Sequence, residues 1–384
     1  MKKVLLLTLG MFALGFDAYV VAGLLPEISA TFSISHSQAG QVVSVFTLCF
    51  ALVAPIFATL IARKSMRNIL VIALAVFSIA NAASALAPNF SLLLIARAVA
   101  GAGAGLFSPL ATVAAASLVS EQKRGRALGM TLGGMSMGTV IGVPLGLITA
   151  EQVGWQGTLW LVTIVGFIPI IGIIVSFPNT LAKAPPSLRQ RFTMMTNKKV
   201  LAIVSITFIA AIASLGLYTY ISSLLQNVGD INNVTPYLWA WGIGGVVGSF
   251  SIGTLIDRLG RPALLLSGIL AVLALAMFSL PFALKFPMLL YLPIFLWGTM
   301  GWASLAPQQH ALLLAQPDHS EAVVALNSSA NYLGGAVGSM VGGFILLSGL
   351  SPSQLPVVTG LLVLVAFLGQ LVIMFTNKTK SQTD

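Results

Sequence analysis

The chain has 384 residues, of which 57% are hydrophobic and 7% charged, with a mean hydropathy of +0.99; an ordinary soluble domain carries roughly 25% charge. A water-soluble fold cannot hide that much apolar surface, so the composition excludes a soluble globular protein and calls for repeated membrane-spanning helices, each about 20 apolar residues long. The net charge of +10 lies in no basic domain with interleaved aromatics, which speaks against a nucleic-acid partner.

Apolar runs between polar breaks predict helices at 4–25, 39–61, 68–87, 91–116, 127–150, 157–178, 200–224, 236–256, 263–284, 288–314, 322–348 and 355–376. The first run follows Met1, Lys2 and Lys3 as a signal peptide would. It is too long for a signal core, lacks a small-residue cleavage site and carries Asp17 near its middle, so it is read as the first span, ended by Pro26 with Glu27 just beyond. The single cysteine, Cys49, leaves no intrachain disulfide and no Cys-based metal site. With the N-terminus inside, 17 of the 19 lysines and arginines, all but Arg97 and Lys285, fall in cytoplasmic segments. The positive-inside rule therefore predicts twelve spans with both termini cytoplasmic.

The longest connection, around Pro185 and Pro186, divides the chain, and an internal repeat agrees with the division. Thr59-Leu60-Ile61-x-Arg63 reappears as Thr254-Leu255-Ile256-x-Arg258, and Gly138, Gly142 and Gly146 reappear 196 residues later as Gly334, Gly338 and Gly342. The expected fold is an all-α membrane protein of twelve transmembrane helices in two pseudo-symmetric six-helix bundles, with an N-terminal bundle at 1–180, a cytoplasmic linker at 181–199 and a C-terminal bundle at 200–384. Six-helix parallel repeats are the pattern of secondary transporters that work by alternating access.

Four motifs resemble those of the major facilitator superfamily, within it the twelve-helix drug:proton antiporter group. Gly253-Thr-Leu-Ile-Asp257-Arg258-Leu-Gly260-Arg261 resembles the family's cytoplasmic signature loop, a gate in which Gly260 takes positive φ and Asp257, Arg258 and Arg261 pair with neighbouring helix ends. Its first-half copy departs from the pattern, with Ala58, Ala62, Ser65 and Met66 where the family has Gly, Asp, Gly and Arg. Arg97 followed by Gly101, Gly103 and Gly105 resembles the intramembrane arginine motif, and Gly138, Gly142, Pro144 and Gly146 the Gly-Pro motif of exporters. Gly15-Phe16-Asp17-Ala-Tyr19 resembles the acidic first-helix motif, and the segment from Trp297 to Gln309 is similar to a branch containing sugar, purine and nucleoside exporters.

Within the predicted spans, Asp17 is the one acid and Arg97 the one firmly placed base. Helix midpoints put them about 4 Å and about 10 Å toward the outside at a ~1.5 Å rise, within an arginine's reach. A charge at mid-bilayer needs a partner or a task, and Asp17 is expected to carry the proton while Arg97 controls its ionisation. Candidates for binding substrate are Phe16, Tyr19, Tyr218, Tyr220, Trp297, Trp302, Gln308, Asn327, Asn331 and Tyr332; Asn327 and Asn331, at i and i+4, share a helix face. No spacing suggests a metal, and no Walker loop is present, so the expected energy source is the proton gradient with no cofactor. The expected partners are the lipid bilayer, protons and a small-molecule substrate, with the monomer as the working unit. Export of drugs or of a specific purine, nucleoside or sugar both remain open at this stage, ahead of nutrient import. A channel lacks a repeated polar ring, and an enzyme lacks a catalytic constellation.

Overall fold

The computed structural model describes residues 1–56, 64–120, 123–178 and 186–380, nearly all of them helical. The chain divides into two compact units, Met1–Ser187 and Leu188–Asp384. Residues 57–63, which hold the first copy of the Thr-Leu-Ile-x-Arg repeat with Ala58 and Ala62, and linker residues 179–185 lie outside the described residues.

The first unit contains α1 (Lys2–Phe32), α2 (His36–Ile56), α3 (Met66–Ala85), α4 (Phe90–Ser117), α5 (Arg124–Met137) and α6 (Val143–Ser176). Helix α1 does not end at Pro26 as its sequence predicts. It runs six residues further and stops at Ser33, whose left-handed backbone (φ 52, ψ 44) returns its N–H to Ala30, because a missing N–H is tolerated where neighbouring helices shield the freed carbonyl. Side-chain caps begin α3 and α4: Ser65 accepts from the Asn68 N–H and Asn89 from the Leu92 N–H. Between α5 and α6, Gly138–Gly142 form a π turn. Its cause is Pro144, which has no N–H for the Val140 carbonyl and a ring that crowds it, so the helix widens locally.

Eleven helical stretches among the described residues are long and apolar enough to cross a membrane, one of them the 51-residue Arg126–Ser176. That stretch spans about 76 Å at a ~1.5 Å rise, more than twice a ~30 Å core. It breaks at Val153 (φ −131, ψ 15) and Gly154 (φ 77, ψ 170), the latter a conformation open only to glycine. Two crossings therefore share it, which gives twelve. The outer faces are apolar, as lipid requires: along α6, Ile164, Ile171 and Val175 are 57, 69 and 82% exposed, whereas Thr158 and Thr163 are buried.

The second unit contains α7 (Leu188–Met194), α8 (Lys198–Thr219), α9 (Ile221–Asn227), α10 (Thr235–Leu259), α11 (Pro262–Ala283), α12 (Pro287–Ala303), α13 (Leu305–Ala315), α14 (Ser320–Leu347) and α15 (Leu355–Lys380). One span expected to be continuous is interrupted: the seventh departs from helical backbone at Tyr220 (φ −107, ψ 13), whose hydroxyl donates to the Ser339 carbonyl at 2.8 Å. The tenth stays helical through Ser304 (φ −64, ψ −27), although Pro307 leaves the Ala303 carbonyl without its helical donor. Part of the linker is helical: α7 packs on α14, with the Arg191 guanidinium donating to the Ala325 carbonyl at 3.0 Å and to the Ser329 hydroxyl. Burial pulls the Arg191 guanidinium down to about 10, so it stays charged at neutral pH.

The repeat reappears in the packing. In each unit the first membrane span packs on the fifth, the second on the fourth and the third on the sixth. A Cβ at Gly138 would lie 2.3 Å from the Phe12 carbonyl oxygen, and one at Gly334 would lie 2.6 Å from that of Phe208. Both members of that contact are separated by 196 residues from their counterparts. The glycines thus let backbones touch within a unit.

Candidate functional site

The first unit encloses a polar triad in an apolar interior. Arg97 Nη1 donates to Asp17 Oδ1 at 2.7 Å and to Asn81 Oδ1 at 3.0 Å. Asn81 Nδ2 in turn donates to Asp17 Oδ2 at 3.3 Å and to the Phe77 carbonyl at 3.1 Å. All three side chains are at most 1% exposed, and the Asp17–Arg97 pair is the sole salt bridge among the described residues. The Arg97 guanidinium also lies over the Phe46 ring, 4.4 Å from its centroid, in cation–π geometry.

Small residues build this arrangement. A Cβ at Gly101, one turn beyond Arg97, would fall 2.2 Å from the Phe46 carbonyl oxygen, so glycine lets α2 lie against α4 and brings the Phe46 ring onto the guanidinium. Sequence reasoning found the two charges and missed Asn81. The available signal was an amide within the apolar run of α3, the same signal that singled out Asn327 and Asn331.

Phe16, a substrate candidate, is buried as a wedge between α1 and the π turn. Cβ atoms at Gly142 or Gly146 would each come within 2.6 Å of its ring, and Pro144 is buried beside them. The Gly-Pro motif therefore seats the residue adjacent to Asp17. Tyr19, two residues beyond Asp17, is half-buried.

In the second unit the offset of 196 places Ala213, Met277 and Pro293 at the positions of Asp17, Asn81 and Arg97, and all three are buried and apolar. Other candidates do converge. The Thr207 hydroxyl lies 2.8 Å from Gln308 Oε1 and 2.6 Å from Asn327 Oδ1, and Gln308 Nε2 and Asn327 Nδ2 have no hydrogen-bond partner among the described residues. One hydroxyl proton cannot serve two carbonyls, so one amide is turned to donate to the hydroxyl oxygen, and unused donors remain in either case. Asn331 and Tyr332 lie one turn further along α14, half-buried.

Aromatic candidates form a second group around Trp241, which the sequence reading did not name. Tyr218 lies tilted against Trp241 at 4.2 Å between centroids, Trp297 and Trp302 meet it edge-on at 6.0 and 6.2 Å, and Trp297 Nε1 donates to Ser214 at 2.8 Å. Tyr220 stands apart from this group, its ring against Gly342.

The signature loop ends α10 at an exposed turn. Gly260 caps α10 with φ 58, but Asp257, Arg258 and Arg261 are exposed and form no ion pair among the described residues. Adjacent positions on a helix do not face each other, and Arg261 lies past the left-handed cap. Gly253 is exposed, with open space where a Cβ would stand.

Comparison with known proteins places this architecture. Residues 7–339 match the model of the Major Facilitator Superfamily. The inner membrane transport protein YdhP of Escherichia coli is 28% identical over 95% of both chains. A protein of Mannheimia succiniciproducens named "Probable sugar efflux transporter" is 26% identical over 88% of this chain and 86% of that one. A chloramphenicol resistance protein of Streptomyces lividans is 27% identical over 78% and 77%. Among solved structures, the nucleoside transporter NupG shares the fold with a TM-score of 0.77 at 13% identity, covering 97% of this chain and all of that one. The chain belongs to the Major Facilitator Superfamily and is a multi-span membrane transporter, not an enzyme.

Proposed function

We propose that this transporter is a proton-coupled antiporter of the bacterial inner membrane that exports small organic molecules by alternating access. The observation that carries the proposal is the buried Asp17–Arg97 pair. A charge at mid-bilayer costs at least about 2.5–3.5 kcal/mol, and apolar side chains would join the same helices without that cost. Both hydrogen bonds from Arg97 to the triad come from Nη1, and its Nε has no hydrogen-bond partner among the described residues. A fixed strut would favour the two-pronged fork, whereas a single-nitrogen contact parts more readily.

While the guanidinium is bound, the carboxylate stays ionised. When helices shift and the pair opens, the buried carboxylate is left without its counter-charge and is neutralised by a proton. Cycling between the two arrangements carries a proton inward as substrate leaves, with the proton gradient as energy source and no cofactor. The distribution of basic residues supports cytoplasmic termini, and nothing in the cycle requires more than one chain. The Gly-Pro motif from Gly138 to Gly146, together with the efflux and resistance functions named for two relatives, supports export.

Gradient-driven transport in proteoliposomes, run in parallel with a cationic dye, chloramphenicol, adenosine and a pentose, tests this. Asp17→Asn is expected to abolish transport driven by a pH gradient while exchange of substrate down its own gradient and protein yield are retained; undiminished gradient-driven transport would overturn the proposal. A second reading, export of a specific neutral metabolite, is favoured by the spare amide donors of Gln308 and Asn327, which suit a hydroxyl or carbonyl group better than a lipophilic cation. The same panel decides between the two.

A further inference from the structure

We infer that Asn81 is the hydrogen-bond partner of Asp17 in both of its protonation states, and that Phe46 holds the Arg97 guanidinium when the carboxylate is neutral. The inference rests on the reading of Asp17 as the proton carrier and assigns the neighbours that make the change of state tolerable in a dry interior.

In the ionised state Asp17 accepts from Arg97 Nη1 and from Asn81 Nδ2, and the Asn81 oxygen accepts from the same Nη1. Protonation changes the requirement. A proton from the water phase forms an O–H bond on the Asp17 carboxyl, the Nη1–H···Oδ1 hydrogen bond breaks, and the guanidinium keeps all its protons. The neutral acid is now a donor as well as an acceptor, and a buried O–H without an acceptor is unfavourable. The side-chain acceptor in the triad is Asn81 Oδ1. An amide offers a donor and an acceptor side by side, so it can close a ring of two hydrogen bonds with a carboxylic acid, Nδ2–H to the acid carbonyl and acid O–H to Oδ1. Asn81 is held in place for this by its bond to the Phe77 carbonyl at 3.1 Å.

The other half of the problem is the cation. Once Asp17 is neutral, Arg97 keeps its charge with no carboxylate bound. The Phe46 ring already lies 4.4 Å from the guanidinium carbon, and its face attracts a cation whatever the state of Asp17. Close contact of Gly101 with the Phe46 backbone fixes that ring on α2. In the second unit, Met277 replaces Asn81 along with both charges, so the amide accompanies the pair and is absent where the pair is absent.

Asp17 and Arg97 are not the sole ionisable groups on these helices. The helices packed on the triad also carry Lys2, Lys3, Tyr19 and Glu27 on α1, His36 and Cys49 on α2, Arg67 on α3, Arg124 and Arg126 on α5 and Glu151 on α6. Among the described residues, Arg97 alone pairs with Asp17.

Asn81 is thus a positioning residue, and infrared difference spectroscopy of the purified full-length protein tests it without knowledge of the substrate. Acidification should raise a carboxylic-acid C=O band that Asp17→Asn removes. In Asn81→Leu that band should move to higher wavenumber, the signature of an acid that has lost its hydrogen bonds, and its pH midpoint should change. Asn81→Ser, which keeps a small donor and acceptor, should fall between wild type and Asn81→Leu, and it serves as the variant to read if Asn81→Leu does not fold. A band in Asn81→Leu or Asn81→Ser identical to wild type in position and midpoint overturns the inference while leaving Asp17 as the carrier. Absence of any acid band sensitive to Asp17→Asn overturns the carrier reading and the inference with it.

Discussion

Removing Arg97 strips the buried Asp17 of its counter-charge, a loss of about 3–5 kcal/mol for a buried pair, whereas removing both charges together is tolerated far better; Asp17→Asn is milder, because the cation it leaves keeps the face of the Phe46 ring. Arg97→Gln should therefore lower the thermal stability of the purified protein markedly. Asp17→Asn combined with Arg97→Gln should recover most of that loss, because Asn81 can bond either amide, yet remain unable to use a proton gradient. Additive losses in the double variant would show that the two side chains act separately. The pair was legible in the sequence because charge is so scarce in the apolar runs that each instance stands out. Thr207 and Ser214 were not, since uncharged polar residues barely perturb a hydropathy window and their partners lie on helices tens of residues away; Asn81 stood out as an amide in an apolar run, but its partners lie on other helices. Trp241 escaped for the opposite reason: in a membrane protein an aromatic at a helix face more often meets lipid than another aromatic.

At the scale of helices, the Gly-Pro motif was readable as a site of close approach, but not what approaches it. The structure gives the answer as Phe16, whose ring root lies 2.6 Å from a Cβ built on Gly142. Because the crowded atoms are near the Phe16 backbone, rotation of the ring does not relieve them. Gly142→Ala should destabilise the protein by about 1–3 kcal/mol, the range for overpacking a filled site, read as a fall in the unfolding temperature. Combining it with Phe16→Ala should cost less than the sum of the two single changes, since the second removes the atoms the first collides with. Strict additivity would place the strain elsewhere. Helix ends were less legible than helix faces. Pro26 looks like a terminator and is not one, because neighbouring helices substitute for water around a freed carbonyl. Pro307 likewise leaves its span helical through Ser304, whereas the departure at Tyr220 has no proline to announce it and its hydroxyl reaches a carbonyl 119 residues away.

For the molecule as a whole, the offset of 196 residues carried the architecture, because sequence repeats survive where helix pairs must pack alike, as Gly138 on Phe12 and Gly334 on Phe208 do. Charge location carried the rest. The count of crossings depends on the 51-residue stretch Arg126–Ser176. Crossing once, it would give eleven spans and termini on opposite sides; reversing at Gly154, it gives twelve and termini on the same side. The backbone at Gly154, φ 77 and ψ 170, belongs to a turn, and a single straight helix of that length would carry Glu151 into hydrocarbon without a partner. The positive-inside rule reaches the same parity from independent residues, since dropping one span would put Arg258 and Arg261 on the side opposite Arg124 and Arg126. A C-terminal fusion to green fluorescent protein, which folds only in the cytoplasm, should fluoresce, and a fusion to alkaline phosphatase, which matures only outside it, should be inactive. Fusions truncated after Gln152 and after Ser187 should report opposite sides, outside and inside respectively. An active phosphatase at the C-terminus with a silent one at Gln152 would instead require the long stretch to cross once.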